Sequence, residues 1–466
     1  MTATQSNGKN ILFIVLDTLR AKEVLENIKK FKFFSKLMKD GIVYKKAIAP
    51  SNWTLPSHAS IFTGLYPLEH GVNRVYDSLR KSPFNLPVLL KKAGYRTLLI
   101  TNNNFISSEY KFIYGFNKYI NLSAEHNEVK IKTPEEFLNA IKDSKNISDC
   151  LNSFLEFLRH ADHTMLGFNK DRNTKITTEI LIDLIKSEKY LLNKHFIFVN
   201  YMENHEFYRP FSHYCLGTSI SNFVSLIYYL KEVRPKYYTE YAFFNSINLS
   251  KKSINFLRKL YLDTIYYIDK TLLKLFKTME SEGSLDSTVL IVTSDHGNEH
   301  FEHSILGHSK HLYNTISHVP LFIYGLDDHQ IIEDFVSVKD IYGIVLKSSI
   351  GKVPNFVKLP PPFSRNYQNF ALSEMVVEPI LDFAIKTKKI DDAKRMLYGG
   401  VSVHFDNYHY IKLTNGKTFL FDFEKDYLEK ENLFNDRKDE IPKNISRFVD
   451  YRIEKIILKY LLKFKF

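Results

Sequence analysis

The chain has 466 residues, of which 44% are hydrophobic and 14% aromatic, enough to build a large core and to exclude a disordered or low-complexity protein. Its 64 basic against 52 acidic side chains leave a formal charge of +12, which favours anionic partners such as phosphate or sulfate esters, acidic glycans or anionic lipid. Only Cys150 and Cys215 occur, which excludes a disulfide framework and a CxxC zinc site, and no apolar run nears the roughly 20 residues of a membrane span.

Residues 1–9 are polar and lack the apolar segment of a secretory signal, so a cytoplasmic protein is expected. Residues 10–16, Asn-Ile-Leu-Phe-Ile-Val-Leu, then form an unbroken apolar run, the pattern of a strand buried on both faces of a parallel sheet. The run ends in Asp17, placing a carboxylate at the carboxyl end of a central strand, where open α/β sheets build their sites. A helix is expected over 21–39, stopped by Asp40-Gly41, and a second strand over 42–49.

The stretch 52–64, Asn-Trp-Thr-Leu-Pro-Ser-His-Ala-Ser-Ile-Phe-Thr-Gly, follows that strand. It sets the hydroxyl of Thr54 just before Pro56-Ser57, a pair that can start a helix, where free N–H groups and the positive helix end favour an anion. Residues 86–93 and 95–100 repeat the order helix, glycine turn, strand.

From about 121 to 194, and again from about 219 to 260, the pattern turns polar, aromatic-rich or helical, which predicts helical insertions on an α/β scaffold. Between them a strand at 195–200 leads into Tyr201-Met202-Glu203-Asn204-His205-Glu206. A long amphipathic helix over 251–279, closed by Gly283, precedes another buried strand at 288–293. That strand delivers Asp295-His296-Gly297 to the same sheet edge as Asp17, and a loop with His308, Lys310 and His311 comes before a strand at 319–324.

The run Pro360-Pro361-Pro362 predicts a junction between a catalytic domain over 1–355 and a C-terminal subdomain over 356–466. In the latter, short strands at 400–405, 408–413 and 418–423 make an antiparallel meander. Residues 441–466 make a basic amphipathic helix, with Arg452, Lys455, Lys459 and Lys463 opposite Ile456, Ile457, Leu461 and Leu462. Packing on the small subdomain with the basic face in water is the expected arrangement; peripheral contact with a membrane surface is the other.

Asp17, Asp295, His296 and the Thr54 oxygen offer ligand types suited to one divalent cation, Mn2+, Zn2+, Mg2+ or Ca2+, with positions left for substrate oxygens. Such a metal would lower the pKa of the Thr54 hydroxyl and polarise an ester. His58, His205, His308, Lys310 and His311 are of the types that bind the transferred group's oxygens or protonate a leaving group.

In their order, these segments resemble the sulfatase-type branch of the alkaline phosphatase superfamily over most of the chain. Residues 10–20 resemble the first strand with its metal-binding Asp, 51–71 the nucleophile segment, and 200–210 the segment with a substrate-binding His, here His205. Residues 293–297 resemble the second metal-binding motif, 307–321 the loop and strand after it, and Asp422-Phe423-Glu424-Lys425-Asp426 with Asn432-Leu433 the family ending. The resemblance implies an alkaline-phosphatase-like α/β/α sandwich around a large, mostly parallel mixed sheet, plus a smaller C-terminal α+β subdomain with an antiparallel sheet.

The departures from the family pattern bear on function. Sulfatases carry a Cys or Ser that becomes formylglycine within C/S-x-P-S-R, where this chain has Thr54-Leu55-Pro56-Ser57-His58. A Thr nucleophile resembles instead the phospho-group transferases of the superfamily. The expectation is a metal-dependent hydrolase or transferase of phosphate-type esters, with a sulfuric ester hydrolase as first alternative and a non-catalytic binder of anionic ligands as the alternative from another class. No Asp-x-x-x-His is placed for a second metal, so one metal is expected, and no specific nucleic-acid binding.

Overall fold

The computed structural model of the chain describes residues 8–123, 171–187, 194–206, 208, 249–326, 329–364, 367–376 and 398–461. Strands β1 (Asn10–Leu16), β2 (Ile42–Ile48), β3 (Arg96–Thr101), β5 (His195–Tyr201) and β6 (Thr288–Thr293) lie close to the runs that the apolar patterns predict, and β4 (Lys118–Asn121) is a short edge strand that those patterns did not show. The two-residue strands β7 (Glu299–His300) and β8 (Leu306–Gly307) pair with each other, and β9 (His318–Tyr324) and β10 (Gln330–Ser337) follow. The main sheet has the order β10-β2-β9-β6-β1-β5-β3-β4, and only β9 runs against its neighbours.

The centre of that sheet is buried on both faces, which is why β1 carries no polar alternation. Leu12, Ile14 and Leu16 point into one core with the helices Lys32–Asp40, Thr174–Ile185 and Lys251–Ser281. Ile11, Phe13 and Val15 point into the other, with the helices Thr54–Thr63, Leu86–Lys92 and Ile341–Ile350. Each such side chain taken from water contributes about 1.5–3 kcal/mol, and together they hold the sheet between two helical layers. The result is the expected α/β/α sandwich.

Two helix boundaries differ from the sequence pattern, the first for a tertiary reason. The helix predicted over 21–39 is split into Ala21–Glu26, the 3-10 turn Ile28–Lys30 and Lys32–Asp40. Asp269 of the long helix accepts hydrogen bonds from the N–H groups of Lys32, Phe33 and Phe34 at 2.8, 2.9 and 3.1 Å, capping a new helix from outside its own segment. Burial raises the Asp269 pKa to about 6. The second helix begins at Thr54 itself, two positions ahead of Pro56, so the hydroxyl stands on the first turn.

A second sheet, order β11-β12-β13-β14, is antiparallel and consists of β11 (Phe370–Met375), β12 (Gly400–Phe405), β13 (Tyr408–Leu413) and β14 (Thr418–Asp422). The last three are the expected meander, and β11 is an added edge strand. It reaches the segment before Thr54: Glu374 N–H donates to the Pro50 carbonyl at 3.0 Å and Ser51 Oγ to the Glu374 carbonyl at 2.7 Å. The terminal helix, Lys443–Ile456, buries Ile445, Val449, Ile453 and Ile456 on this sheet.

Arg452 does not join the basic face expected of that helix. It is buried, paired to the buried Glu374 and, at 3.2 Å, to Glu69, because a carboxylate in the interior is tolerated only with a partner. Lys455 and Lys459 remain exposed, and Lys463 lies outside the described residues. Most of the insertions predicted at 121–194 and 219–260 also lies outside them; the helices described within those spans are Thr174–Ile185 and the start of Lys251–Ser281. Among the described residues, no helix is long and apolar enough to cross a membrane.

Candidate active site

The carboxyl ends of β1, β5, β6 and β3 meet at one edge of the main sheet, and β2 leads to the same edge through residues 49–53. The backbone turns sharply after Asp17: Thr18 has φ +61°, a left-handed conformation unusual for a branched residue. Its hydroxyl donates to the Asn204 carbonyl at 2.6 Å and its N–H to Asp295 Oδ1 at 3.3 Å, so β1, β5 and β6 are tied together at this residue.

Asp17 and Asp295 are fully buried, and each is held by one oxygen only. Asp17 Oδ2 accepts from Asn103 Nδ2 at 2.8 Å and from Asn200 Nδ2 at 3.5 Å, while Asp17 Oδ1 makes no hydrogen bond. Asp295 Oδ1 accepts from the N–H groups of Thr18 and His296, and Asp295 Oδ2 makes none. The bare oxygens lie 3.8 Å (Asp17) and 3.4 Å (Asp295) from His296 Nε2.

The His296 ring completes the set. Its Nδ1 is 2.9 Å from the Gly297 carbonyl, which can only accept, so Nδ1 carries the proton and Nε2 turns its lone pair toward the two carboxylates. Burial, with His308 as the next cause, lowers the His296 pKa to about 3, so the ring is neutral. Lone pairs and anionic oxygens converging in a buried space repel one another unless a cation lies between them. Asp17, Asp295 and His296 each offer an atom within 4.8 Å of the others, so these residues fit a divalent cation.

Gly297 is required for this geometry. Its N–H donates to the Ile316 carbonyl at 2.6 Å, and a Cβ on it would sit 2.1 Å from the Thr315 carbonyl oxygen.

Thr54 is buried, with Oγ1 3.4 Å from His296 Nε2, at the N-terminal end of a ten-residue helix. His58, one turn on, lies beneath it: Nδ1 donates to the Thr54 carbonyl at 2.9 Å and stands 3.4 Å from Asp295 Oδ2. Its fully buried ring packs edge-on to Phe112 and Phe198, a position that supports Thr54 and does not face a ligand.

Above Thr54 a cleft of about 300 Å³ is lined by Trp53, Asn102, Asn103, Arg172, His205 and His308 among others. The His205 and His308 rings meet edge-to-face at 5.1 Å, and Glu206 joins them, 3.1 Å from His308 Nδ1 and 3.5 Å from His205 Nδ1. Burial opposes charge on His308, but Glu206, then Asp17 and Asp295, raise its pKa above the usual value. Lys310 and His311 are buried but do not line the cleft; His311 Nε2 lies 3.7 Å from Glu299, and burial lowers its pKa well below normal.

The structure thus brings Asp17, Thr54, Asp295, His296, His205 and His308 to one edge, and of the residues singled out in the sequence it leaves His58, Lys310 and His311 outside the cleft lining. Asn103, Asn200, Glu206 and Arg172 are at the site without having been singled out in the sequence. The signal for Asn103 is the run Asn102-Asn103-Asn104 directly after β3, polar residues leaving a buried strand at the same edge. Arg172 is positioned by Glu203, whose Oε2 accepts from Arg172 N–H at 3.0 Å and from Thr174 Oγ1 at 2.6 Å.

Comparison with known proteins agrees with this architecture. Arylsulfatase K of Xenopus laevis is 26% identical over 235 residues, 48% of this chain and 42% of that protein, so the chain spans less than half the length of that relative. A phosphonate monoester hydrolase from Silicibacter pomeroyi has a similar fold, TM-score 0.69 at 16% identity, covering 96% of both chains. A second phosphonate monoester hydrolase, from Agrobacterium radiobacter, gives 0.67 at 18% identity over 96% of this chain and 95% of that one. Residues 9–347, a span that takes in Asp17, Thr54, His205, Asp295, His296 and His308, match the family model described as Sulfatase, and the chain belongs to the sulfatase family.

Proposed function

We propose that the chain is a metal-dependent hydrolase or transferase of phosphate-type esters, a phosphodiester, phosphonate ester or transferable phospho-group, with Thr54 as nucleophile. The observation that carries this reading is Thr54 Oγ1 at 3.4 Å from the lone pair of His296, on the first turn of a helix and beside two half-bare carboxylates. Asp17, Asp295 and His296, with the Thr54 oxygen, are the residues that hold the divalent ion. When bound, that ion supplies a lowered pKa for the Thr54 hydroxyl and polarisation of the ester.

Around it the chain's own groups divide the work. Thr54 Oγ1 loses its proton to solvent and attacks phosphorus, forming a bond to the chain as the ester oxygen departs with a proton from His205 or His308. Water or an acceptor hydroxyl then attacks phosphorus, giving its proton back to that histidine, and the bond from phosphorus to Thr54 breaks, its oxygen regaining a proton from solvent. The helix N-terminus, Arg172 and His308 favour the anion's oxygens at the cleft, and His205 can donate a hydrogen bond to them. His58 supports Thr54 through a hydrogen bond to its carbonyl, and Lys310 does not line the cleft.

The identity of the nucleophile favours phosphorus over sulfur. A formylglycine hydrate releases sulfate by collapsing to an aldehyde, and a Thr ester has no such exit. Attack at phosphorus needs none, and the similarity to phosphonate monoester hydrolases accords with it. The second reading, a sulfuric ester hydrolase, is favoured by the family match and by the likeness to arylsulfatase K. Parallel assays with an aryl sulfate, a phosphate monoester, a phosphodiester and a phosphonate monoester, each with Mn2+, Zn2+, Mg2+ and Ca2+, separate the two. Faster turnover of a phosphorus ester is expected, and a clear sulfate preference refutes the proposal.

A further inference from the structure

We propose that Asn298 is a positioning residue for His308, and that it is held in turn by a buried chain running from Arg20 through His300 to Tyr208. The proposal deepens the ester reading and rests on it for the use to which His308 is put. Arg20, Tyr208, Asn298 and His300 are each no more than 2% exposed, and they come from three separate segments, beyond β1, beyond β5 and beyond β6.

The donor and acceptor types fix the direction of every link. A guanidinium can only donate, so Arg20 Nη1, 3.1 Å from His300 Nδ1, makes that nitrogen the acceptor and leaves the ring proton on Nε2. Nε2 lies 2.7 Å from Tyr208 Oη, which therefore accepts from His300. The ring is neutral, because burial and then Arg20 lower its pKa to about 3. At the other end, His308 Nδ1 stands 3.1 Å from the Glu206 carboxylate, which can only accept, so Nδ1 carries a proton. The Asn298 atom 3.4 Å from that Nδ1 must then be the amide oxygen, and the amide nitrogen is left to donate to Tyr208 Oη. Arg20 Nη1 also donates to the Asn298 carbonyl at 3.2 Å, so the backbone and the side chain of Asn298 are both anchored by this chain.

Turning the amide over would set its NH2 against the His308 N–H, a repulsive contact among buried groups. With Nδ1 shared between Glu206 and Asn298, Nε2 is the ring nitrogen left to meet an ester oxygen in the cleft that His308 lines. One acceptor alone lets a ring pivot about the contact. A second, itself immobilised, removes that freedom. A merely architectural network would tie the three segments together and leave proton transfer untouched, which is the difference to measure.

The test has two arms, both on the full chain supplied with Zn2+. The first needs no turnover: long-range 1H–15N spectra of the chain labelled at histidine, with His300 and His308 assigned through His300→Gln and His308→Asn. A His300 ring protonated at Nε2 only is expected, with a His308 Nδ1 signal that moves on Tyr208→Phe. A His300 proton on Nδ1, or a His308 signal that stays in place, overturns the proposal. The second arm compares p-nitrophenyl and methyl esters of phenylphosphonate, since nitrophenolate departs without a proton and methoxide does not. Asn298→Ala, Tyr208→Phe and His300→Leu should each lower kcat on the methyl ester by about 10–100-fold with KM little changed, and on the nitrophenyl ester by less than about threefold. His300→Gln should restore most of the rate, because the new side chain can accept from Arg20 with its oxygen and donate to Tyr208 with its nitrogen. Equal losses on both esters, or no difference between His300→Gln and His300→Leu, mean an architectural role and refute the positioning. A wild type that turns over neither phosphonate sinks the ester reading alone, and the first arm still decides how His308 is held.

Discussion

Asn103, at the end of β3, donates from Nδ2 to Asp17 Oδ2 across 2.8 Å, and so fixes which oxygen of Asp17 is left bare toward His296. Both side chains are buried, and the amide is the shortest contact that Asp17 has. A group that orients a ligand in this way usually matters tenfold to a hundredfold in metal affinity. Asn103→Ala is therefore expected to weaken Mn2+ or Zn2+ binding by about 10–100-fold, read by calorimetry, with Thr54 untouched. Unchanged affinity removes Asn103 from the site.

Thr54→Ala tests the nucleophile separately from the metal. Turnover is expected to fall by at least about 10³-fold, because a covalent route has no substitute oxygen at that position. Metal affinity should stay within about tenfold, since Asp17, Asp295 and His296 remain. Retained turnover excludes Thr54 from the chemistry.

Gly297→Ala probes the close approach behind His296. The added methyl meets the Thr315 carbonyl at 2.1 Å, in backbone that has little room to yield. A loss of about 1–3 kcal/mol in denaturant unfolding is expected, together with weaker metal binding as His296 shifts. A variant as stable as wild type would show that the β6 turn relaxes freely.

Glu203 gives a pH signature. Burial, only partly offset by the Thr174 hydroxyl, raises its pKa from 4.5 to about 7. The folded state therefore holds the proton more tightly than the unfolded state, and the contribution is present below pH 4.5 and lost as pH rises to about 7. Glu203→Gln carries no such titration. Its stability relative to wild type should rise by about 3 kcal/mol between pH 4.5 and pH 7.5, measured by urea unfolding at both values. A constant difference would mean that Glu203 is solvated in solution.

Local chemistry accounts for what was legible without coordinates. The unbroken apolar runs of β1, β5 and β6 specify strands buried on both faces, and the polar residue that ends each run is carried to the sheet edge by the chain itself. Asp17, Asp295 and His296 could be named for that reason, and Thr54 from the helix start beside it. The C-terminal meander was legible from turn residues between alternating runs.

What the tertiary structure decided are pairings between groups distant in sequence, for which no periodicity exists. Asp269 caps a helix that starts at Lys32, Arg452 leaves the expected basic face to meet Glu374, and Glu206 meets His308. The physical reason is common to all three. A buried charge or open helix end must be satisfied by whichever group the packed sheets bring near, and only the fold determines which that is. The sequence by itself determined the central strands and the residues at their ends; the packing determined the edge strands, which oxygen of Asp17 stays bare, where His58 points and which side chains complete the site.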